Sequence, residues 1–95
     1  MRLGENEVNA IREEIRRFDP HAEIYLFGSR ADQAARGGDI DLLVLSEHTG
    51  FRELLRVRQA ILDRIGWQQL DLVIRRPEQL DEPLVAMATR AGIKL

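Results

Sequence analysis

The chain reads as an α/β layer domain. Helical and strand-like hydrophobic patterns alternate from one end to the other, glycine or proline stands at most of the junctions, and 95 residues leave room for one domain only. The composition agrees: 44% hydrophobic and 32% charged residues are ordinary for a globular fold and too apolar for disorder. We therefore expect residues 1–95 to form a single domain.

Residues 5–18 predict a helix, because Val8, Ile11, Ile15 and Phe18 recur at helical spacing among Glu and Arg. Asp19-Pro20 ends it, since a residue before proline avoids the helical region. Residues 22–27 predict a central strand, apolar on both faces, in which Tyr25 is a core or half-buried packing residue. Gly28-Ser29 breaks that strand, and Ser29 can cap a short helix or turn over residues 30–35. Gly37-Gly38 predicts a turn before the clearest strand, residues 39–45. Residues 50–65 predict the clearest helix, with Phe51, Leu54, Leu55, Ile61, Leu62 and Ile65 on its packed face. Arg52, Arg56 and Arg64 form its solvated side, and Gly66 ends it. Trp67 is expected to be core or half-buried. Residues 69–75 alternate as a third strand, residues 81–91 predict a last helix, and residues 92–95 add a short strand.

Composition excludes several function classes. A net charge of −2 supplies no bulk attraction to nucleic acid. The absence of cysteine excludes a disulfide scaffold, a thiolate zinc site and a thiol nucleophile, and fits a reducing cytoplasm. The charged start does not resemble a signal peptide, and no apolar run approaches the roughly 18–20 residues that span a bilayer. A soluble cytoplasmic chain is the expectation. His21 and His48 lie beside turns without matching ligand partners and read as exposed.

The chemistry concentrates in the run Gly38-Asp39-Ile40-Asp41-Leu42. Side chains alternate across a strand, so Asp39 and Asp41 share one face, about 7 Å apart along the chain. Two neighbouring carboxylates repel, and a bound cation reverses that penalty. Mg²⁺ takes oxygen ligands, commonly one or two carboxylates together with water and substrate phosphates. Asp71 interrupts the apolar strand Leu70–Ile74, and a buried carboxylate there needs a partner. If that strand lies beside residues 39–45, Asp71 faces the pair, and three carboxylates can hold two metals about 3.5–4 Å apart. Gly28-Ser29 completes the pattern: glycine lets backbone approach a phosphate, and free N–H groups beyond it suit an anion. Arg30 and Arg36 are candidate phosphate partners, since guanidinium matches phosphate geometry.

Leu26-Phe27-Gly28-Ser29-Arg30-Ala31 followed by Gly38-Asp39-Ile40-Asp41-Leu42-Leu43-Val44 resembles the signature of the DNA polymerase beta-like nucleotidyltransferase superfamily. Within it, the chain is similar to the minimal nucleotidyltransferases (MNT), and the resemblance covers nearly all of it, including the acidic strand around Asp71. The resemblance implies the polymerase beta-like palm, a small mixed sheet flanked by helices. It implies Mg²⁺, as two ions, on Asp39, Asp41 and Asp71, and a nucleoside triphosphate held at Gly28, Ser29 and Arg30. It further implies transfer of a nucleoside monophosphate, AMP from ATP, to a hydroxyl with loss of pyrophosphate. Minimal members are often paired with a helical HEPN-type protein, as antitoxin of a toxin–antitoxin system, and in some pairs the acceptor is a tyrosine of that partner. Two other readings stay open: an antitoxin that acts by occlusion alone, and transfer to a small molecule or RNA. An oligomer is compatible with either. The chain departs from the pattern in one respect: the segment between Ser29 and Asp39 is one residue shorter than the commoner form.

Overall fold

The computed structural model describes residues 3–28, 39–48 and 50–95. Helix α1 spans Glu5–Phe18, strand β1 Glu23–Phe27, β2 Ile40–Leu45, α2 Phe51–Ile65, β3 Leu70–Arg75, α3 Pro83–Ala91 and β4 Ile93–Lys94. The fold is the expected mixed α/β arrangement, each of these elements lying within a residue or two of the span its hydrophobic period predicts. The expected turn or short helix at residues 30–35 lies outside the described residues.

Local chemistry accounts for the ends. The Gly4 N–H, left free at the start of α1, donates to Glu7 Oε1 at 3.0 Å. Asp19 takes extended backbone angles (φ −150°, ψ 109°), as the following proline demands, and its N–H closes the last turn on Ile15 O. Gly66 ends α2 with a positive φ of 85°.

The sheet order is β3-β2-β1-β4. β2 runs antiparallel to β1 and parallel to β3, with α2 as the crossover, and β4 pairs antiparallel with β1. Helices α1 and α2 cover one face, where Ile11, Ile15, Leu26, Ile40, Leu42 and Ile61 form the main core. The other face is covered by α3, whose Val85 and Ala88 pack on Leu43 and Leu45. β2 is thus buried on both sides, with Ile40, Leu42, Leu43 and Val44 at 1% exposure or less. Arg64 of α2 ties the two helices together through Glu14 at 3.0 Å and Glu13 at 2.6 Å.

Tyr25 is half-buried, as expected: β1 alternates between its faces, and the tyrosine lies on the side that α3 covers only in part. Two expectations need correction. Trp67 is 78% exposed, because Gly66 turns the chain out of α2 before the tryptophan can reach the core. The packed face of α2 is rotated toward Val57, Ile61 and Leu62, which leaves Phe51 (72% exposed) and Leu55 (49%) overhanging the β3 edge.

Beyond the sheet's far end, Asp19 is buried and accepts a 2.6 Å hydrogen bond from Ser46 Oγ. The Ser46 bond holds its carboxyl below the ordinary 3.8, assisted by the His21 N–H and opposed by burial. A lowered carboxyl stabilises the fold fully above the unfolded value, and that contribution is lost as pH falls through the folded one. Ser46→Ala is expected to cost about 1.5–3 kcal/mol near neutral pH. Urea unfolding should show the deficit shrinking below pH 3.8, where Asp19 becomes protonated.

Candidate active site

The site forms where the carboxyl end of β1 meets the amino ends of β2 and β3. The register sets Phe27 opposite Asp41 on one side of β2, and Asp41 opposite Asp71 on the other. At the first residue of β2, the Ile40 N–H donates at 2.9 Å to the O of Gln69, the residue just before β3, which fixes β3 against β2 beside Asp41 and Asp71. Parity then decides direction. Ile40 and Leu42 point into the main core, so Asp41 and Asp71 point to the opposite face.

Asp41 is half-buried, whereas Asp39 and Asp71 are exposed. Its carboxyl is pushed above the ordinary 3.8, first by burial, then by the negative charges of Asp71 and Asp39, and last by hydrogen bonding with Asp71. The strand register accordingly sets the two residues side by side on one face. Asp71 also accepts a 3.3 Å hydrogen bond from the amide of Gln69, two residues earlier on the same face.

Gly28 follows β1 directly and has φ +75°, a conformation open to glycine and costly for other residues. A Cβ there would collide with Asp41 Oδ2. The glycine thus lets the chain turn and leaves space for the half-buried carboxylate beside it. Ser29, Arg30 and Arg36, the other candidate phosphate contacts, lie outside the described residues.

Among the described residues, no three His, Cys, Asp or Glu side chains are grouped closely enough to hold a metal ion by themselves. The donor set still fits a hard cation. Asp41 and Asp71 are paired oxygen donors, Asp39 adds charge felt at Asp41, and the strain of gathering them appears as the raised Asp41 carboxyl. A divalent cation that completes its shell with water and phosphate oxygens relieves that strain.

Asp41 and Asp71 line an open concavity of about 580 Å³ that wraps over the β3 edge. Sequence reasoning missed two of its other walls. Arg58 reaches across from α2, where its Nε donates to Leu70 O at 3.0 Å. The overhanging Phe51 and Leu55 line it as well. Gln69 was detectable, since it shares strand parity with Asp71; nothing in the helical pattern of residues 50–65 separates Arg58 from its solvated neighbours.

Two outcomes follow for stability. A carboxyl raised in the folded state favours folding below its unfolded pKa, and the advantage is lost as pH rises through the folded value. Asp41→Asn should therefore raise the melting temperature at pH 7 and leave it unchanged below pH 3.8, as read by thermal unfolding at both pH values. Gly28→Ala should cost about 1–3 kcal/mol from its backbone angle alone. A double-mutant cycle separates the collision: Gly28→Ala should cost less in an Asp41→Ala background.

A comparison with curated proteins returns no match. Residues 8–91, most of the chain, match the family described as "Nucleotidyltransferase domain". The match takes in β1, Gly28, the aspartates of β2 and β3, α2, α3 and α1 from Val8 onward. With adjacent carboxylates at the end of a doubly covered strand and a close-approach glycine beside them, the chain belongs to the nucleotidyltransferase domain family.

Proposed function

We propose that the protein is a Mg²⁺-dependent nucleotidyltransferase that moves a nucleoside monophosphate, AMP from ATP, to a hydroxyl on a partner protein. One observation supports this above the rest: Asp41 and Asp71 stand side by side on paired strands, where burial and the neighbouring aspartates oppose ionisation of Asp41. In this reading Asp39 and Asp41 hold the metal, and Asp71 both holds metal and takes the proton of the acceptor hydroxyl. Gly28, with Ser29 and Arg30, receives the triphosphate.

The step balances simply. The acceptor oxygen attacks the α-phosphorus and a new P–O bond forms. The bond from the α-phosphorus to the bridging oxygen breaks, and pyrophosphate leaves in line. The hydroxyl proton passes to Asp71, which is exposed on the edge strand and open to an incoming group. Bound Mg²⁺ supplies charge neutralisation at the phosphates and lowers the cost of ionising the acceptor. Among the described residues, the Asp41/Asp71 concavity opens to solvent along the β3 edge, which suits an acceptor presented by another macromolecule. The chain's net charge of −2 argues against RNA in that role.

We further propose that this partner is a helical protein of the HEPN type, with which the chain forms a toxin–antitoxin pair in the cytoplasm. The support is the similarity of Gly28-Ser29 and Asp39-Ile40-Asp41 to the minimal nucleotidyltransferases.

The test uses α-labelled ATP, Mg²⁺ and the product of the adjacent open reading frame as acceptor. Label should enter the acceptor in stoichiometric amount and disappear on chelation. Asp71→Asn should slow transfer by about 10²–10⁴-fold, the usual range for losing a general base. Asp39→Asn and Asp41→Asn should abolish it, and undiminished labelling by both variants would refute the mechanism. Mg²⁺ with ATP should raise the melting temperature of the wild type and fail to raise that of Asp41→Asn.

A further inference from the structure

The exposed edge of β3 carries features that nucleotide chemistry does not use. The bonds from Ile40 N–H to Gln69 O and from Ser46 N–H to Arg75 O turn the odd-numbered residues of β3 toward β2. Backbone groups of the even-numbered residues Leu70, Leu72 and Ile74 therefore face outward. Leu70 O is taken by Arg58 and Ile74 O by Arg75 Nη1 at 2.8 Å. Leu72 presents its N–H and C=O along the edge, where a further strand would pair.

The surroundings of that edge differ on its two sides. On the catalytic side stands Asp71. On the α2 side stand Phe51 and Leu55, both largely exposed, with half-buried Leu72 at their foot. Arg58 projects into the same concavity, and among the described residues no carboxylate is paired with it. A half-buried guanidinium with spare N–H groups calls for an acidic partner.

We propose that the β3 edge is the acceptor-docking groove, and that its occupant is an extended segment of a partner protein in which the hydroxyl-bearing residue is flanked by an acidic and an apolar residue. The proposal rests on the nucleotidyl-transfer reading above and names its acceptor class. Alternation supplies the motif. An added strand would place successive residues opposite Leu70, Asp71 and Leu72. The residue opposite Asp71 points to the catalytic face and carries the hydroxyl. Its two neighbours point to the α2 face, the one opposite Leu70 meeting Arg58 and the one opposite Leu72 meeting Phe51 and Leu55. Acid, hydroxyl and apolar residue thus stand consecutively, as in Glu-Tyr-Leu or its reverse. A second copy of this chain fits less well: antiparallel pairing of β3 with itself about Leu72 would set Asp71 opposite Val73 and bury a carboxylate against an apolar side chain.

The test is binding without nucleotide, read by fluorescence anisotropy on the full chain, so that failure of docking and failure of transfer are distinguishable. The probes are short fluorescein-labelled peptides with central Glu-Tyr-Leu, Leu-Tyr-Glu, Lys-Tyr-Leu, Glu-Tyr-Ser or Glu-Phe-Leu in otherwise identical polar flanks. One of the first two should bind best, and replacing its Glu by Lys should weaken binding by about tenfold or more. Replacing Leu by Ser should also weaken it, whereas the phenylalanine peptide should bind like its parent and accept no nucleotide. Arg58→Glu should invert the preference between the Glu and Lys peptides, and Arg58→Lys should preserve it. Phe51→Ser with Leu55→Ser should remove the preference for leucine over serine. Equal affinity of the wild type for all the peptides would overturn the proposal whatever the variants do. So would an unchanged Glu-over-Lys preference in folded Arg58→Glu, or a sedimenting dimer of the wild type that Phe51→Ser with Leu55→Ser dissolves.

Discussion

The double coverage of β2 is the constraint from which the site follows. Hydrogen bonds pin this strand to β1 on one edge and β3 on the other, while helices bury both its faces. Side chains from Ile40 to Val44 have no freedom to rearrange, apart from Asp41 at the open end. A carboxylate held this firmly determines what can stand beside it. The chain after β1 must turn away without a Cβ, which Gly28 allows, and β3 must bring Asp71 level with Asp41, which the Ile40–Gln69 bond ensures. The chemistry of the site is thus a consequence of strand register. Moving β3 by one residue would send Asp71 to the opposite face and set Leu70 or Leu72 beside Asp41.

Placing these charges together works against the fold. Burial and two neighbouring aspartates oppose ionisation of Asp41, so the ionised site is a source of instability at neutral pH. The far end of the same strand shows the opposite arrangement. Buried Asp19, held by the Ser46 hydroxyl and the His21 N–H, has its carboxyl lowered and stabilises the fold when ionised. The aspartate with neutral donors around it is structural. Asp41, raised first by burial and then by like charge, is the kind of perturbed carboxylate that clusters at functional sites, and the proposed cation would relieve it.

Periodicity made the elements legible because each has one strongly preferred face. Val8, Ile11 and Ile15 mark α1, and the unbroken apolar run after Asp41 marks a strand covered on both sides. The pairing of Asp41 with Asp71 was legible as a condition, that the two strands be neighbours, and the β2–α2–β3 crossover satisfies it. What stayed hidden depends on tertiary placement. Phe51 and Leu55 share the apolar stripe of α2 with Leu62, and only the tilt of that helix on the sheet decides which of them are covered. Trp67 looks like core material by residue type, but its exposure is set by the backbone angle of the glycine before it. Arg58 is indistinguishable by composition from Arg52 and Arg56, and it differs because it alone is aligned with the end of β3.

The two edges of the sheet are unequal, and the inequality bears on how the proposed acceptor would meet the site. At one edge β4 is only two residues long, and it is tied to β1 through the Leu95 N–H and the Lys94–Glu23 ion pair, so little edge is offered. At the other, β3 offers six residues with a charged group near its start and another at its end. Inward-pointing charge on an edge strand discourages like-with-like pairing. Self-pairing about Leu72 strands Asp71 opposite Val73. Self-pairing one step further along would set Asp71 against Arg75, but that arginine is already engaged by Glu82 at 3.5 Å and by Ile74 O. The carboxylate assigned to the proposed chemistry therefore also guards the open edge against a second copy of the chain. A segment that places a neutral hydroxyl opposite Asp71 meets no such penalty, so the group that would accept the proton also selects what may lie along the strand.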